Sequence, residues 1–160
     1  MFGHVKILTR AQIKRAVETM RDFNPRVKIV TTNGAFDLIH SGHLHSLEQA
    51  RKQGDVLIVC LNSDASIKRY KSVDRPIICE QERARLLEAL SIVSYVVIFE
   101  EDDPREILKV IKPDVHVKSK SGFKGIEREV VESNGGKIVL LDDVPGLSTT
   151  DIVTKIKRLT

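Results

Sequence analysis

The sequence has few of the residues that mark secreted proteins or proteins that stack on nucleic-acid bases. It has two cysteines and no tryptophan, and aromatic residues make up 4% of its 160 residues. Two cysteines are too few for the disulfide framework of a small secreted domain, and they favour a reducing cytoplasm. Few aromatic side chains are present on which bases could stack, so nucleic acid is not an expected partner.

Long apolar segments are also missing. The longest continuous apolar run, 56–61, has six residues, whereas a membrane-spanning helix needs about 20. The first residues, 1–6, do not combine a charged stretch with the apolar core of a signal peptide. We therefore expect a cytoplasmic protein that does not contact a membrane.

The overall composition is that of a folded chain. Apolar residues make up 41% and charged residues 30%, which argues against disorder. The length predicts a single domain over 1–160, with an N-terminal helix at about 9–22 as an appendage. The formal net charge of +4 is mildly basic and is compatible with a solvated surface or with an anionic partner.

Short β-rich segments alternate with helical segments along the chain. The predicted strands are 27–32, 56–61, 95–99, 114–117 and 137–141. The predicted helices between and after them are 43–53, 80–90, 104–111, 126–133 and 148–159. This alternation predicts an α/β fold, a doubly wound parallel sheet of about five strands. In such sheets ligands bind beyond the carboxyl ends of the strands, where the strand order reverses.

The segment 32–43 follows the first predicted strand and enters the first helix after it. Gly34 permits a tight turn, and Gly42 permits a close approach at the helix start. The free N–H groups of a helix N-terminus bind anions. His40 and His43 are three residues apart, so both imidazoles can be directed at the same point. Together these features favour a polyphosphate site.

Two other interpretations of this segment remain open. A histidine in such a loop is often only a surface group. A metal site could be built from Asp37, His40, His43 or His45, but zinc needs three or four converging ligands and the segment has no cysteine set.

Two distant motifs resemble those of the small nucleotidyltransferases. His40-Ser41-Gly42-His43 resembles their His-x-Gly-His signature, and 33–37 resembles the loop before it. Near the other end, 146–150 is similar to their second signature, Ile-Ser-Thr-Thr, with Leu for Ile. The resemblance extends over about 29–156 and implies a Rossmann-like fold and nucleotidyl transfer.

Within this superfamily the sequence resembles the adenylyltransferases that act on D-glycero-β-D-manno-heptose 1-phosphate. The similar positions are 61–66, Lys71, Arg75, Pro76, Arg83 and 95–99. The resemblance implies transfer of a nucleoside monophosphate from a nucleoside triphosphate, with ATP favoured, to a phosphorylated small molecule, with heptose 1-phosphate favoured. Pyrophosphate is the second product. It also implies Mg²⁺ as counter-ion and, since family members are commonly dimers or larger, a homo-oligomer.

The resemblance assigns roles to individual residues. His40 and His43 contact the triphosphate and stabilise the transition state at the α-phosphorus, and Lys71 reaches the phosphates. The implied nucleotide-binding positions are Thr32, Asn33, Gly34, Phe36, Gly42, Lys118, Gly146, Ser148, Thr149 and Thr150.

Four further residues are candidates for the acceptor side, each with an alternative. Asp37 helps organise Mg²⁺, which is otherwise held mainly by the triphosphate, or only fixes its loop. Arg83 binds substrate phosphate or braces its helix. Asn62 and Asp64 face the cleft or have turn and cap roles.

One loop departs from the heptose adenylyltransferases, which carry Lys-Gly-Gly-Asp-Tyr where this chain has 118–123, beginning with the shared Lys118. Loss of the acidic residue and gain of Lys120 change the local charge by about +2 and leave the acceptor open. Glycerol 3-phosphate, phosphoethanolamine and flavin mononucleotide are alternative acceptors. A nucleotide- or RNA-binding module without turnover is the alternative of another class.

Overall fold

The computed structural model describes residues 6–159. Within them, six parallel strands form one sheet, and seven helices lie between and after the strands. The strands are β1 (Ile7–Leu8), β2 (Ile29–Gly34), β3 (Val56–Asn62), β4 (Tyr95–Phe99), β5 (Val115–Ser119) and β6 (Lys137–Leu141). The helices are α1 (Arg10–Phe23), α2 (Ser41–Arg51), α3 (Asp64–Tyr70), α4 (Glu80–Ala89), α5 (Arg105–Ile111), α6 (Arg128–Glu132) and α7 (Thr149–Lys157).

The strand order creates one switch point in the sheet. The order is β1-β4-β3-β2-β5-β6, and every pair is parallel. From β2 the chain builds outward through β3 and β4, and then returns to add β5 on the other side of β2. The carboxyl ends of β2 and β5 therefore border the crevice in which ligands bind in such folds.

The doubly wound parallel sheet is confirmed, with one strand more than expected. The additional strand is β1, which pairs Ile7 with Val96 and Leu8 with Val97 at the edge of the sheet. A strand of two residues is too short to give a recognisable sequence pattern. The strands at 95–99 and 137–141 have the predicted bounds.

The core lies on both faces of the sheet. On one face, Leu47 of α2 and Leu87 of α4 are fully buried against the strands. On the other face, Ile13 of α1 and Ile107 of α5 are buried in a second cluster. The near-continuous apolar strand β3 is covered by both layers, as expected of a central parallel strand.

The N-terminal helix expected as an appendage at 9–22 is instead part of the core. It begins after Thr9, whose side chain caps the helix, and its buried residues are Ile13 and Val17. These two residues are four positions apart, so they lie on one face of the helix. That face packs on the sheet beside α5.

Candidate active site

The candidate site lies at the switch point, where a side chain from β5 binds the end of β2. Lys118 Nζ donates hydrogen bonds to the backbone oxygen and to Oδ1 of Asn33, at 3.0 and 2.9 Å. Burial lowers the pKa of Lys118 to about 8, while the charge of Glu127 acts in the opposite direction. Lys118 is therefore still mostly protonated at neutral pH and keeps an N–H for a ligand.

The two histidines of the first motif cap helix α2 reciprocally. His40 is the N-cap residue, and its Nδ1 accepts the backbone N–H of Gly42 at 3.1 Å. His43 Nδ1 in turn accepts the backbone N–H of His40 at 3.4 Å. The ring centroids are 3.9 Å apart. Each imidazole therefore takes up a backbone donor that would otherwise be unpaired at the helix start.

This capping sets the protonation of both rings. Because each Nδ1 accepts a hydrogen bond, the proton of the neutral imidazole lies on Nε2. Burial lowers the pKa of His40. Burial, with smaller contributions from His40 and Lys71, lowers the pKa of His43 to about 4. At neutral pH the pair therefore presents two uncharged Nε2–H donors.

Phe36 supports the histidine pair from the loop before α2. It has a φ of +46°, a backbone conformation that side chains other than glycine rarely adopt. Its buried ring lies 5.2 Å, centroid to centroid, from the ring of His43. Such strain persists where the surrounding structure enforces it, often at functional sites.

The two motifs meet around one cleft, although about 100 residues separate them in the sequence. A cavity of about 220 Å³ is lined by residues of both motifs and of the strand ends. These include Thr32, Asn33, Gly34, Phe36, Asp37, His43, Ser46, Lys71, Lys118, Ser119, Gly122 and Thr149. Next to it, a cavity of about 290 Å³ shares His43, Lys71 and Thr149 and adds His40, Gly42, Ser148 and Thr150. The sequence prediction of a shared site is consistent with this arrangement.

Glycine at position 42 allows the two motifs to touch. A Cβ atom there would lie 3.0 Å from the His40 ring and 3.1 Å from Cβ of Leu147. Leu147 stands where the family has isoleucine, and it precedes Ser148, the N-cap of α7. A side chain at position 42 would therefore require the His40 ring or Leu147 to shift.

The residues of the second motif do not all face the cleft in the same way. The Ser148 hydroxyl accepts the backbone N–H of Asp151 at 3.0 Å and donates to its carboxylate at 2.7 Å. Gly146, with a φ of +71°, forms the turn before the helix and lines neither cavity. Thr149 lines both cavities, so it is the residue of this motif best placed for a ligand.

Lys71 lines both cavities from the end of α3. Partial burial lowers its pKa, as do the charges of Arg75 and Arg83, whereas Asp37 raises it. The concentration of positive charge around the cleft suits an anionic ligand.

Asp37 uses its carboxylate to hold the loop before α4. Oδ1 accepts the backbone N–H groups of Ile77 and Ile78 at 2.8 and 2.9 Å, and Oδ2 accepts Arg75 Nη1 at 2.9 Å. The side chain is 4% exposed. Of the two roles considered for Asp37, fixing its loop is the one these contacts support.

Arg83 is a brace and not a substrate ligand. Its side chain is fully buried, with an exposed fraction of 0%. Nε donates to the oxygen of Ile78 at 2.9 Å, Nη1 to the oxygen of Ala35, and Nη2 to Asp64 Oδ1 at 2.7 Å. Of the two roles considered for Arg83, bracing its helix is the one that these contacts support, and the expectation that it binds substrate is corrected accordingly, since the protein itself engages all three guanidinium nitrogens and Asp64 is one of the partners.

A third and smaller cavity lies on the other side of Lys118. Its volume is about 110 Å³, and it shares Asn33, Gly34 and Lys118 with the first cavity. Asn62 lines it, as expected for a residue facing the cleft, and its Nδ2 donates to Ser66 Oγ at 3.0 Å. Sequence reasoning missed Tyr70 and Glu127 here, because neither lies in a motif or at a strand end.

The unusual loop after β5 is tied to the segment after β6. Lys120 Nζ donates to Asp142 at 2.6 Å, and Ser121 Oγ donates to Asp143 at 2.7 Å. Lys120 is exposed and lines none of the three cavities. The charge that the loop gains is therefore largely compensated at the surface.

The described side chains form no cluster that could hold a metal ion. Over residues 6–159, no three histidine, cysteine, aspartate or glutamate side chains come together in a way that could hold one. The alternative of a metal site built from Asp37, His40, His43 and His45 therefore receives no support. A cation held by phosphate oxygens would need no such cluster.

The doubly wound sheet carries paired imidazole donors and a helix start at its switch point. Residues 31–155 match the family model described as Cytidylyltransferase-like. The chain belongs to the cytidylyltransferase-like family, and it is a nucleotidyltransferase enzyme.

Curated relatives carry the name Bifunctional protein HldE. The relative from Syntrophotalea carbinolica is 45% identical over 153 residues, which are 94% of this chain and 31% of that protein. The relative from Helicobacter pylori is 46% identical over 156 residues, 97% of this chain and 32% of that protein. The relative from Nitratiruptor sp. is 52% identical over 139 residues, 86% of this chain and 29% of that protein. The chain thus spans about a third of the length of these relatives.

Solved structures share the fold. The lipopolysaccharide core biosynthesis protein from Thermoplasma volcanium has a TM-score of 0.65 and 25% identity, covering 74% of this chain and 98% of that one. A pantoate-beta-alanine ligase from Francisella tularensis has a TM-score of 0.62 over 95% of this chain and 77% of that one. Its 14% identity supports the fold alone. No helix within residues 6–159 combines the length and apolarity needed to cross a membrane.

Proposed function

We propose that the protein transfers an adenylyl group from ATP to the phosphate of heptose 1-phosphate and releases pyrophosphate. The pair of uncharged Nε2–H donors of His40 and His43, opposite Thr149 in the cleft, is the observation that carries this proposal. Donors of this kind stabilise oxygens on which negative charge grows in a transition state.

The reaction needs no general base from the protein. An oxygen of the acceptor phosphate is already anionic at neutral pH and attacks the α-phosphorus of ATP. The bond between the α-phosphorus and the oxygen bridging to the β-phosphate breaks, and pyrophosphate leaves with that electron pair. Lys71 and the two histidines hold the triphosphate and neutralise the charge that develops. Histidines that stay neutral suit this role of donor better than that of proton acceptor.

The third cavity, of about 110 Å³, is the place that we propose for the acceptor. It opens beside the first cavity, and Lys118 lines both. An acceptor phosphate near Lys118 Nζ would face the α-phosphate held by the histidine pair, while the rest of the acceptor would extend toward Asn62.

Mg²⁺ is part of the proposal as the ion bound to the triphosphate. Both carboxylate oxygens of Asp37 accept hydrogen bonds from the loop 75–78, so we propose that the triphosphate alone holds the ion. When bound, the ion would neutralise phosphate charge and favour departure of pyrophosphate.

Three findings support the choice of substrates. The segments 61–66 and 95–99 resemble heptose 1-phosphate adenylyltransferases. The relatives at 45–52% identity share one name, Bifunctional protein HldE. The structural neighbour from T. volcanium is called a lipopolysaccharide core biosynthesis protein. We propose accordingly that the nucleotide-activated heptose made here is destined for a surface glycan.

Pyrophosphate release with Mg²⁺ tests the proposal directly. Four nucleoside triphosphates are combined with heptose 1-phosphate, glycerol 3-phosphate, phosphoethanolamine and flavin mononucleotide. We expect release with ATP and heptose 1-phosphate, and its loss in His43→Ala. His45→Ala is the matched control, because His45 lies on the same helix, is exposed and lines neither cavity of the cleft.

The other outcomes assign the function elsewhere. Release with a different pair of substrates would keep the chemistry and refute the choice of acceptor or nucleotide. Nucleotide binding without release for any pair would refute the transferase and favour a binding module, for which steep loss of RNA affinity with salt is the diagnostic.

A further inference from the structure

Glu127 is a buried residue, and one oxygen of its carboxylate, Oε2, has no hydrogen-bond partner in the described part of the chain. Glu127 precedes α6 and is 2% exposed. Buried polar atoms are almost always paired, and a buried oxygen left without a hydrogen-bond partner is costly. Its presence calls for a ligand that supplies donors.

The position of Glu127 says where such a ligand lies. Glu127 lines the third cavity, of about 110 Å³, together with Asn62, Tyr70 and Lys118. Its charge raises the pKa of Lys118, so the two groups interact across this cavity. Lys118 also lines the first cavity, of about 220 Å³, where the proposed function puts the triphosphate. A molecule with its phosphate at Lys118 would therefore extend its other end toward Glu127.

The charges around the cavity indicate the chemistry of that other end. Besides Glu127 and Lys118, the charged residues that line the cavity are Asp102, Asp103 and Lys124. Asp103 is paired with Arg105, and Asp102 with Arg69. Carboxylates repel a second phosphate but accept hydrogen bonds from hydroxyl groups. Since Asp102 and Asp103 are balanced by arginines, the unpaired Oε2 of Glu127 is the acceptor that this cavity offers to a hydroxyl group.

We infer that Glu127 is a specificity-determining residue that accepts hydrogen bonds from hydroxyl groups of the acceptor sugar. This inference rests on the proposed function and adds to it the residue that distinguishes a sugar phosphate from a phosphate ester with few hydroxyls. A site built to pair with a hydroxyl discriminates strongly against analogues that lack it, because its own buried group is then left unpaired.

Steady-state kinetics of Glu127→Gln test the inference. The amide has the same size and can donate as well as accept. We expect the KM for heptose 1-phosphate to rise about 5- to 10-fold, because an amide oxygen accepts a hydrogen bond more weakly than a carboxylate does. The KM for ATP should stay within about twofold, since the proposal puts ATP in the first cavity, which Glu127 does not line. Glu129→Gln is the matched control, because Glu129 lies two residues away, is exposed and does not line this cavity.

Deoxy analogues give a readout that a merely structural role would not move. The wild-type enzyme should discriminate against heptose 1-phosphates that lack one ring hydroxyl, and Glu127→Gln should lose that discrimination for at least one position. Equal melting temperatures of the two proteins would show that the variant is folded. An unchanged acceptor KM together with unchanged discrimination, in a wild-type enzyme that turns over heptose 1-phosphate, overturns this inference alone. No turnover by the wild type with any sugar phosphate overturns the proposed function and, with it, the inference.

Discussion

Replacing Asp37 by asparagine separates its two candidate roles. The wild-type carboxylate accepts three hydrogen bonds from Arg75, Ile77 and Ile78 and is almost completely buried. In Asp37→Asn one oxygen remains, and the new NH₂ group faces the donors of Arg75. If Asp37 fixes the loop, the substitution reduces stability. If Asp37 binds the ion, the substitution reduces the affinity for Mg²⁺.

The expected loss of stability follows from the three contacts. A hydrogen bond to a charged group is worth about 1.5–3 kcal/mol and a neutral one about 0.5–1.5 kcal/mol, so the contacts with Ile77 and Ile78 weaken by about 1 kcal/mol each. Loss of the contact with the partly exposed Arg75 costs about 1 kcal/mol more. The sum is about 3 kcal/mol. For a domain of this size, 1 kcal/mol shifts the melting temperature by about 2–4 °C, which predicts a decrease of about 6–12 °C.

The pH dependence of this loss is a second signature. Burial raises the pKa of Asp37, but the hydrogen bonds from Ile78, Ile77 and Arg75, with the Arg75 charge, lower it below its ordinary value of 3.8. The carboxylate therefore contributes stability above the unfolded-state pKa, and this contribution is lost as the pH falls through the folded-state pKa. The difference in stability between wild type and Asp37→Asn should shrink accordingly in acid.

Thermal unfolding monitored by circular dichroism, in parallel with a Mg²⁺ titration of activity, measures both quantities. Asp74→Asn is the matched control, because Asp74 is an exposed carboxylate in the neighbouring loop. An unchanged melting temperature with a raised Mg²⁺ requirement would refute the loop-fixing role and show that Asp37 serves the ion.

Three further predictions concern other residues of the site. The kcat/KM, which reports the free enzyme, should not follow the ordinary histidine pKa of 6.5 but should fall only toward pH 4, as His43 gains a proton; a midpoint near 6.5 that arises from the enzyme would contradict the burial of the ring. The KM for the acceptor should rise as the pH passes about 8 and Lys118 loses its proton, and Lys118→Met should lack this dependence in a pH series. Arg83→Met should lose about 3 kcal/mol in urea unfolding, because it leaves two backbone oxygens without their donor and removes the partner of the partly exposed Asp64, whereas the exposed neighbour Arg85→Met should lose less than about 0.5 kcal/mol.

The fold was largely predictable because its strands are buried on both faces. Continuous apolar runs such as 95–99 announce such strands directly. The end of β2 was misplaced, since the Asn33-Gly34 pair is typical of a turn. In the structure Asn33 pairs with Cys60 and Gly34 with Leu61, so pairing with the neighbouring strand overrides the local preference.

The site was predictable where its chemistry is local in the sequence. The two histidines share one helical turn, so their spacing alone brings them together. The partners of Arg83 and Asp37 lie far along the chain, and nothing in a residue's neighbours reveals that a distant backbone will occupy it. Glu127 is not recognisable in the sequence for the same reason. It is a candidate ligand-binding residue because it is buried and its Oε2 has no hydrogen-bond partner, and both features depend on three-dimensional packing.

The reciprocal cap of His40 and His43 has a consequence for how the two positions vary. His43 accepts the backbone N–H of His40, and the two rings are in contact, so replacing either one alters the support of the other. In a double-mutant cycle the two substitutions should be strongly non-additive, with the double variant scarcely slower than the worse single variant. The pair thus behaves energetically as a single residue, and a sequence that has lost one histidine gains little by keeping the other.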